Sequence, residues 1–407
     1  MRILYICDEY PPGKNGGIGT MVQVMARQLV RSGHRVVVVG LYEHGYGSKD
    51  FEMDEGVEVH RIRYGFNLKE GSLLWRVYKK LPRLVKRGLL GKREIAHYIS
   101  KVKGLVKEKE IDLIEIADWS TLSFETGIGI DWPQFSCPLL VKLHGSYTYF
   151  QTELGESIHS QLYKNDLRLM QRADAIASVS LYTAEQTRTL LHIQAPIEVL
   201  YNAIEIPPVD LNRRIDANAV FFSGSLVPKK GIYQLMKAWN LVLAKKPEAT
   251  LWVYGKGSNK ALKILLNEKA LQSVHFEGHV NRVELLSQLS KSALAVFPSY
   301  SETFGLMCIE AMSRACAVIY TKRSCGPEII TDGLDGALVD PDNVQEIANT
   351  ILTLLSDHKL RKHYAEKGYE SVGKRFSIEG SVQAHLKVYE RVIQAHTMKQ
   401  KNFNFTK

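Results

Sequence analysis

Two glutamates with seven residues between them, Glu302 and Glu310, punctuate the stretch Ala293–Thr321, A-L-A-V-F-P-S-Y-S-E-T-F-G-L-M-C-I-E-A-M-S-R-A-C-A-V-I-Y-T. Carboxylates of this kind accept hydrogen bonds from hydroxyl groups. Around them, Leu294–Phe297 and Ala317–Thr321 read as apolar strands, Pro298–Ser301 as a polar turn, and the span from about Gly305 to Arg314 as a helix. Gly305 leaves the backbone bare where that helix opens. A helix N-terminus at the carboxyl end of a strand presents unpaired N–H groups and a positive dipole end, which suits a phosphate. The pattern predicts a site where an anion meets hydroxyls. A second candidate is His144 in V-K-L-H-G-S, where the chain leaves the carboxyl end of another strand, the place where α/β sheets put ligand contacts.

These residues need parallel sheets to position them, and the chain supplies two successive α/β runs. The first opens with strand Arg2–Cys7, a loop D-E-Y-P-P-G-K-N-G-G-I-G-T and an amphipathic helix carrying Met21, Val24, Met25 and Leu29 at helical spacing. Strands follow at 36–39, 57–63, 112–116, 139–144, 175–180 and 197–201. Its glycines, Gly13, Gly16, Gly17 and Gly19, do not fit G-x-G-x-x-G, so a nicotinamide enzyme is disfavoured. Pro207-Pro208 and the polar run 210–218 read as a linker. A second run then begins at Val220–Phe222 and continues through 250–254, 274–277, the two-glutamate unit and 337–339, with helices at 344–355, 360–372 and 378–395. The predicted division is 1–205 and 206–375 as two Rossmann-like domains, 376–395 as a C-terminal helix, and 396–407 as a flexible tail without a periodic apolar face.

Composition sets the outer bounds. A chain of 407 residues, 45% hydrophobic and 24% charged, is globular and long enough for two cores. Five cysteines without a C-x-x-C pair support neither a disulfide framework nor a zinc site, and a reducing compartment fits. The N-terminus turns acidic too soon for a signal peptide, and no window approaches 18 uncharged apolar residues. The expected location is cytoplasmic, peripheral on the inner face of the membrane. A net charge of +10 invites anionic partners, but no nucleic-acid-binding motif is present.

The setting P-S-x-x-E-T-F-G-L-x-x-x-E-A-M makes the two glutamates specific. It resembles the E-x7-E signature of the family 4 retaining glycosyltransferases, whose fold is GT-B: two Rossmann-like domains facing across a cleft, which makes 1–205 the acceptor-side domain and 206–375 the nucleotide-sugar-binding domain, with a C-terminal helix returning to the first domain. The resemblance implies that Glu302 binds hydroxyls of the donor sugar, Glu310 binds the ribose of the nucleotide, and the amides around Phe304, Gly305 and Leu306 hold the diphosphate. It implies that Gly16 and Gly17 form the first glycine-rich loop facing the donor, that His144 contacts the donor sugar, and that Asn202 in Y-N-A-I-E-I-P-P lines the cleft or caps the turn at the domain junction. Base recognition through backbone groups falls near His279 and Val280.

Cleaving the bond to a nucleoside diphosphate leaves charge on the diphosphate, so positive partners are required there. Lys230, directly before Gly231, matches the family's lysine in G-R-x-x-x-x-K-G, while Ser225 stands where the family has arginine. Serine cannot replace a bidentate guanidinium. Lys229, Lys256 and Arg323 are candidates to compensate. No nucleophile for a double displacement presents itself, and the family retains configuration through an oxocarbenium-like route. Asp340-Pro341-Asp342 matches a D-x-D metal signature, but it lies between a strand and a helix, so Asp342 reads as an N-cap and no metal or other cofactor is expected. The implied substrates are a UDP- or GDP-linked sugar and a glycan or lipid-linked acceptor, as in surface polysaccharide biosynthesis. A GT-B-fold epimerase or hydrolase and a silent nucleotide-sugar binder are the alternatives.

Residues 68–109 form a further feature. From Lys69 to Lys109 the chain carries thirteen bases against three acids, an excess equal to the net charge of the whole protein. Leu73, Leu74, Trp75, Val77, Tyr78, Leu81, Leu84, Val85, Leu89 and Leu90 are interleaved with these bases, and Pro82 divides the pattern. Such a segment is expected to lie on an anionic membrane surface.

Overall fold

The computed structural model describes residues 1–12, 16–44, 46, 49–69, 71–82, 85 and 92–405. The chain forms two compact units, Met1–Tyr201 with Ser381–Lys407, and Asn202–Gly380.

Among the described residues the first unit is built on eight strands: β1 (Arg2–Ile6), β2 (Arg35–Glu43), β3 (Phe51–Asp54), β4 (Val57–Tyr64), β5 (Leu113–Ala117), β6 (Leu139–Leu143), β7 (Ala175–Ser178) and β8 (Ile197–Val199). Their spatial order is β3-β4-β2-β1-β5-β6-β7-β8, and every pairing is parallel except β3 with β4. Strands covered on both faces read as unbroken apolar runs, as all five buried residues of β6 illustrate. Helix α1 (Gly17–Arg31) buries Met21, Val22, Met25, Ala26 and Leu29, the apolar stripe expected of its spacing.

Among the described residues the basic segment holds two helices with opposite fates. Helix α2 (Leu73–Lys80), capped by Ser72 Oγ accepting from Trp75 N, buries no residue, and Leu73, Leu74 and Val77 are 77%, 68% and 52% exposed. Helix α3 (Lys92–Glu108) instead commits Tyr98, Val102, Leu105 and Val106 to the core, leaving Lys101, Lys103 and Lys107 as a solvated face. The apolar residues of α3 thus already have a protein surface to cover, and the exposed apolar side chains read in the sequence as interfacial lie on α2. Lys79 is likewise spoken for, with Nζ 2.7 Å from Glu43 and 2.9 Å from Glu125. Arg83, Leu84, Lys86, Arg87, Leu89 and Leu90 lie outside the described residues.

The second unit holds six parallel strands, β9 (Asp216–Ser223), β10 (Thr250–Tyr254), β11 (Val274–Gly278), β12 (Ser292–Phe297), β13 (Ala317–Thr321) and β14 (Ala337–Val339), in the order β11-β10-β9-β12-β13-β14. β9 starts inside the run read as linker because its first two residues, Asp216 and Ala217, are exposed and carry no apolar signal. Three helices bear on the site: α4 (Ile232–Lys245), α5 (Arg282–Lys291) and α6 (Leu306–Met312).

The last helix, α7 (Ile378–Phe405), returns to the first unit and runs ten residues past its expected end at Ala395. No glycine or proline follows Gly380 to stop it, and Gln400 Nε2 reaches Ser136 O at 3.4 Å. Its anchor is a buried polar network. Tyr389 Oη donates to Glu115 Oε2 at 2.5 Å and lies 3.0 Å from Tyr5 Oη, while Lys142 Nζ lies 2.8 Å from His385 Nε2. Buried groups of this kind tie a helix to one register, since a shift would strand each of them without a partner.

Candidate active site

In the second unit one close approach explains the geometry. Gly231 has φ +68° and a Cβ there would sit 1.8 Å from Pro298 O, so only glycine lets the loop after β9 press against the loop after β12. Tyr300 N donates to Lys229 O at 2.8 Å and locks the two loops. The result is that Lys230 Nζ lies 2.7 Å from Glu302 Oε1, joining two residues 72 apart in sequence. The same oxygen accepts from Ser299 Oγ at 2.9 Å, and Glu302 N donates to Ser324 Oγ at 3.1 Å. Both side chains of the pair keep some exposure, 24% and 15%, so a ligand can reach them.

Beyond Glu302, Phe304 is buried edge-on against Phe376 with ring centroids 5.4 Å apart. Gly305 has φ +78°, and a Cβ on it would meet Tyr320 Oη at 1.9 Å. That glycine is thus needed for both its backbone conformation and its space. Leu306 begins α6, which is shorter than the predicted span to Arg314. Its end tightens because Arg314 N donates to Ala311 O, three residues back, and Ser313 Oγ donates to Glu310 O.

Glu310 points into the unit. Its carboxylate is buried, Oε1 pairs with Arg282 Nη1 at 2.6 Å, and Oε2 has no hydrogen-bond partner among the described residues. Burial raises its pKa above the usual carboxylate range, opposed first by Arg282 and then by Arg314. Arg282 opens α5, whose N-cap Asn281 accepts from Glu284 N at 3.0 Å, and half-buried Val280 lies in the loop just before it. Sequence reasoning missed Arg282, since nothing in a spacing of 28 residues announces a pair.

The other cations are placed differently. Ser225 is exposed in the loop after β9, its carbonyl accepting from Val227 N, and Lys256 is exposed. Arg323 is engaged by Asp342 at 2.5 Å and Asp340 at 3.2 Å, with its guanidinium 5.2 Å from the Tyr300 ring centroid. Asp342 also accepts from Tyr300 Oη at 2.7 Å. The reading of Asp342 as N-cap is corrected: the cap of helix Val344–Ser356 is Asn343, which accepts from Glu346 N at 3.0 Å. Asn343 sits one residue nearer the helix and reaches the amide that a cap must satisfy.

His144, Gly16 and Gly17 belong to the first unit. His144 follows β6, and its backbone is held by Asp118, whose two oxygens accept from His144 N at 2.7 Å and Gly145 N at 3.2 Å. Burial, reinforced by Lys142, pushes its imidazole pKa well below the ordinary value, so the ring is neutral at neutral pH. Gly16 caps α1 without a side chain, and its amide and that of Gly19 face the Glu9 carboxylate. A Cβ on Gly16 would stand 2.3 Å from Glu9 Oε2. Gly17 is exposed. Asn202, the first residue of the second unit, is buried with Oδ1 unpartnered among the described residues. Asp118 and Glu9 were also missed, although each follows a strand at its carboxyl end, the rule that singled out His144.

Comparison with known proteins matches this chain along most of its length. A model described as Glycosyltransferase Family 4 covers residues 15–206, and one described as Glycosyl transferases group 1 covers 207–371. An uncharacterized glycosyltransferase of Methanocaldococcus jannaschii is 30% identical over 295 residues, 71% of this chain and 78% of the relative. Sucrose-phosphate synthase from Thermosynechococcus elongatus has a similar structure, with a TM-score of 0.77 at 18% identity over 97% of this chain and 99% of that one. An Anabaena protein solved with UDP and glucose gives 0.67 at 18% identity, over 96% and 100%.

Proposed function

The chain belongs to the family 4 glycosyltransferases, retaining enzymes of GT-B fold that take a sugar from a nucleotide-sugar donor, and we propose that it passes this sugar to a glycan or lipid-linked acceptor in surface polysaccharide biosynthesis. The observation that carries the reading is the 2.7 Å contact between Lys230 and Glu302. An ammonium beside a carboxylate gives the reaction both things it needs: a positive charge for the departing diphosphate and an acceptor for sugar hydroxyls. Glu310, with one oxygen on Arg282 and the other unpartnered, offers a buried acceptor for a ribose hydroxyl. The amides around Phe304, Gly305 and Leu306 hold the diphosphate, and neutral His144 donates or accepts at the sugar. Gly16, Gly17, Asn202, Ser225 and Val280 complete the donor surface in this reading, with Glu9 fixing the loop that carries the two glycines. The donor is a UDP- or GDP-linked sugar, and no metal is required.

Among the described residues no helix is long and apolar enough to cross a membrane. Access to a lipid-linked acceptor would come through α2, whose exposed Leu73, Leu74 and Val77 lie among Arg76 and Lys80. A thermal-shift panel of nucleotide sugars against the purified protein tests the donor assignment. A ligand at a hundred times its dissociation constant stabilises by roughly 2.7 kcal/mol, and a panel without any UDP- or GDP-linked responder would refute it.

A further inference from the structure

The loop after β13 grips the candidate site from a strained backbone conformation. Half-buried Ser324 has φ +49°, in the left-handed region that serine rarely adopts and glycine takes without strain. What serine adds at this position is a hydroxyl, and the hydroxyl is in use: Ser324 Oγ accepts from Glu302 N at 3.1 Å. The loop is closed tightly on the end of its strand. Arg323 N donates to Thr321 Oγ1 at 3.0 Å, Gly326 N donates to Arg323 O at 3.0 Å, and a Cβ on Gly326 would stand 1.8 Å from Thr321 O. The neighbouring residue holds the same stretch two positions earlier. Arg323, itself engaged by Asp342 and Asp340, lays its guanidinium 5.2 Å from the Tyr300 ring centroid, and Tyr300 Oη donates to Asp342 Oδ1 at 2.7 Å. Tyr300 N in turn makes the bond to Lys229 O that brings Lys230 beside Glu302. Two consecutive residues of one loop thus hold residues 300 and 302 of another, the first through a ring and the second through an amide.

We propose that Ser324 is a positioning residue for Glu302: its hydroxyl sets the backbone from which the Glu302 carboxylate meets the donor sugar, and its left-handed conformation is kept for that contact. The proposal rests on the glycosyl-transfer reading above, in which Glu302 binds sugar hydroxyls. Lys230 Nζ and Ser299 Oγ both act on the side chain, at Oε1. The Ser324 bond acts on the main chain instead. Glycine at this position would relieve the strain, offset by its greater freedom in the unfolded chain, so folding alone gives serine little advantage here. Backbone strain of this kind persists where the surroundings over-determine it, and it gathers at functional sites. A displacement of about 1 Å in a group that orients substrate can slow a reaction by roughly a hundredfold, so one amide bond at Glu302 is enough to matter. The nucleotide end is held separately, by Glu310 on α6 and Arg282 on α5. Loss of the Ser324 hydroxyl should therefore be felt at the sugar and not at the nucleotide.

Two variants of the full chain test this. Ser324→Ala removes the hydroxyl and keeps the strain, whereas Ser324→Gly removes both. Each is compared with wild type in nucleoside diphosphate release from UDP-glucose, UDP-N-acetylglucosamine and GDP-mannose, in UDP and GDP titrations, in melting temperature, and in amide hydrogen exchange over residues 298–306. Both variants should lower the maximal rate by about fivefold or more while nucleoside diphosphate affinity stays within about twofold, the size of effect expected for one hydrogen bond acting at the sugar alone. Exchange in the segment around Glu302 should quicken in both, and Ser324→Gly should melt no lower than Ser324→Ala. Wild-type turnover in Ser324→Gly overturns the proposal, as does a loss confined to Ser324→Ala, which would trace the effect to strain. Unchanged exchange around Glu302, or an equal loss of nucleoside diphosphate affinity, overturns it as well. A wild-type protein that neither binds UDP or GDP nor releases them from any of the three donors refutes the transfer reading and this role with it. That result is distinct from an active wild type whose serine variants are equally active, which refutes the role of Ser324 alone.

Discussion

Arg282 places its guanidinium 2.6 Å from Glu310 and leaves the second oxygen of that carboxylate buried without a partner among the described residues. Burial favours the protonated acid at Glu310, and Arg282 is the largest influence holding it ionised. Removing the arginine raises the Glu310 pKa further, so the ionised fraction falls at low pH. Arg282→Ala is expected to bind UDP or GDP more weakly than wild type, with the deficit growing by about threefold or more between pH 8 and pH 5.5. Calorimetric titration at the two pH values checks it, and a deficit independent of pH would remove Arg282 from that role.

Lys230→Ala and Glu310→Ala should each lower turnover by at least about tenfold, because each deletes a charge-assisted or hydrogen-bonded donor contact worth roughly 1.5–3 kcal/mol. Release of nucleoside diphosphate at subsaturating donor is the measurement. Wild-type rates in both variants would dismantle the site.

Ser225 is exposed, so an arginine can be introduced there without entering a core. If the diphosphate site is short of one cation, Ser225→Arg tightens nucleoside diphosphate binding. Weaker binding on titration would mean that another group already occupies that space.

His385 should make folding depend on pH. Its Nε2 faces Lys142 Nζ and its Nδ1 lies 2.7 Å from Ser381 O, an arrangement that requires a neutral ring donating from Nδ1. Burial and Lys142 push its pKa well below the ordinary value. The unfolded chain takes up a proton near pH 6.5 and the folded one does not, so this group's contribution is present above pH 6.5 and lost as pH falls below it. Asp8, Asp118 and Asp166, with raised pKa values, act in the opposite direction, losing stability as pH rises. The informative quantity is the difference between wild type and His385→Gln in urea unfolding. Between pH 7.5 and 5.5 the wild type should lose about 1.4 kcal/mol more than the variant.

Leu73→Glu with Leu74→Glu should abolish co-sedimentation with anionic liposomes while leaving the core untouched, since α2 buries nothing. Wild-type binding should rise with anionic lipid content and fall with salt. Lys79 is a poor target for such a test because it bridges Glu43 and Glu125. Binding that ignores both lipid charge and the double variant would assign α2 to an ordinary solvated face.

The sequence by itself determined the two α/β runs, because strands buried on both faces must be apolar and the helices between them must carry a stripe. It also determined the glutamate pair, since the residues around Glu302 and Glu310 are local and their order is fixed by the chain. Gly231 and Gly305 were visible as letters, yet only the tertiary structure gave their reason: Pro298 O and Tyr320 Oη occupy the space where a side chain would be. The structure likewise decided the partners. Lys230 meets Glu302 across 72 residues and Arg282 meets Glu310 across 28, distances in sequence over which no spacing rule operates. The basic segment shows the limit most clearly. Its composition is nearly uniform from Lys69 to Lys109, but α3 found a core to cover and α2 did not. Whether an apolar face is buried depends on what lies opposite it, and that is a property of the folded chain.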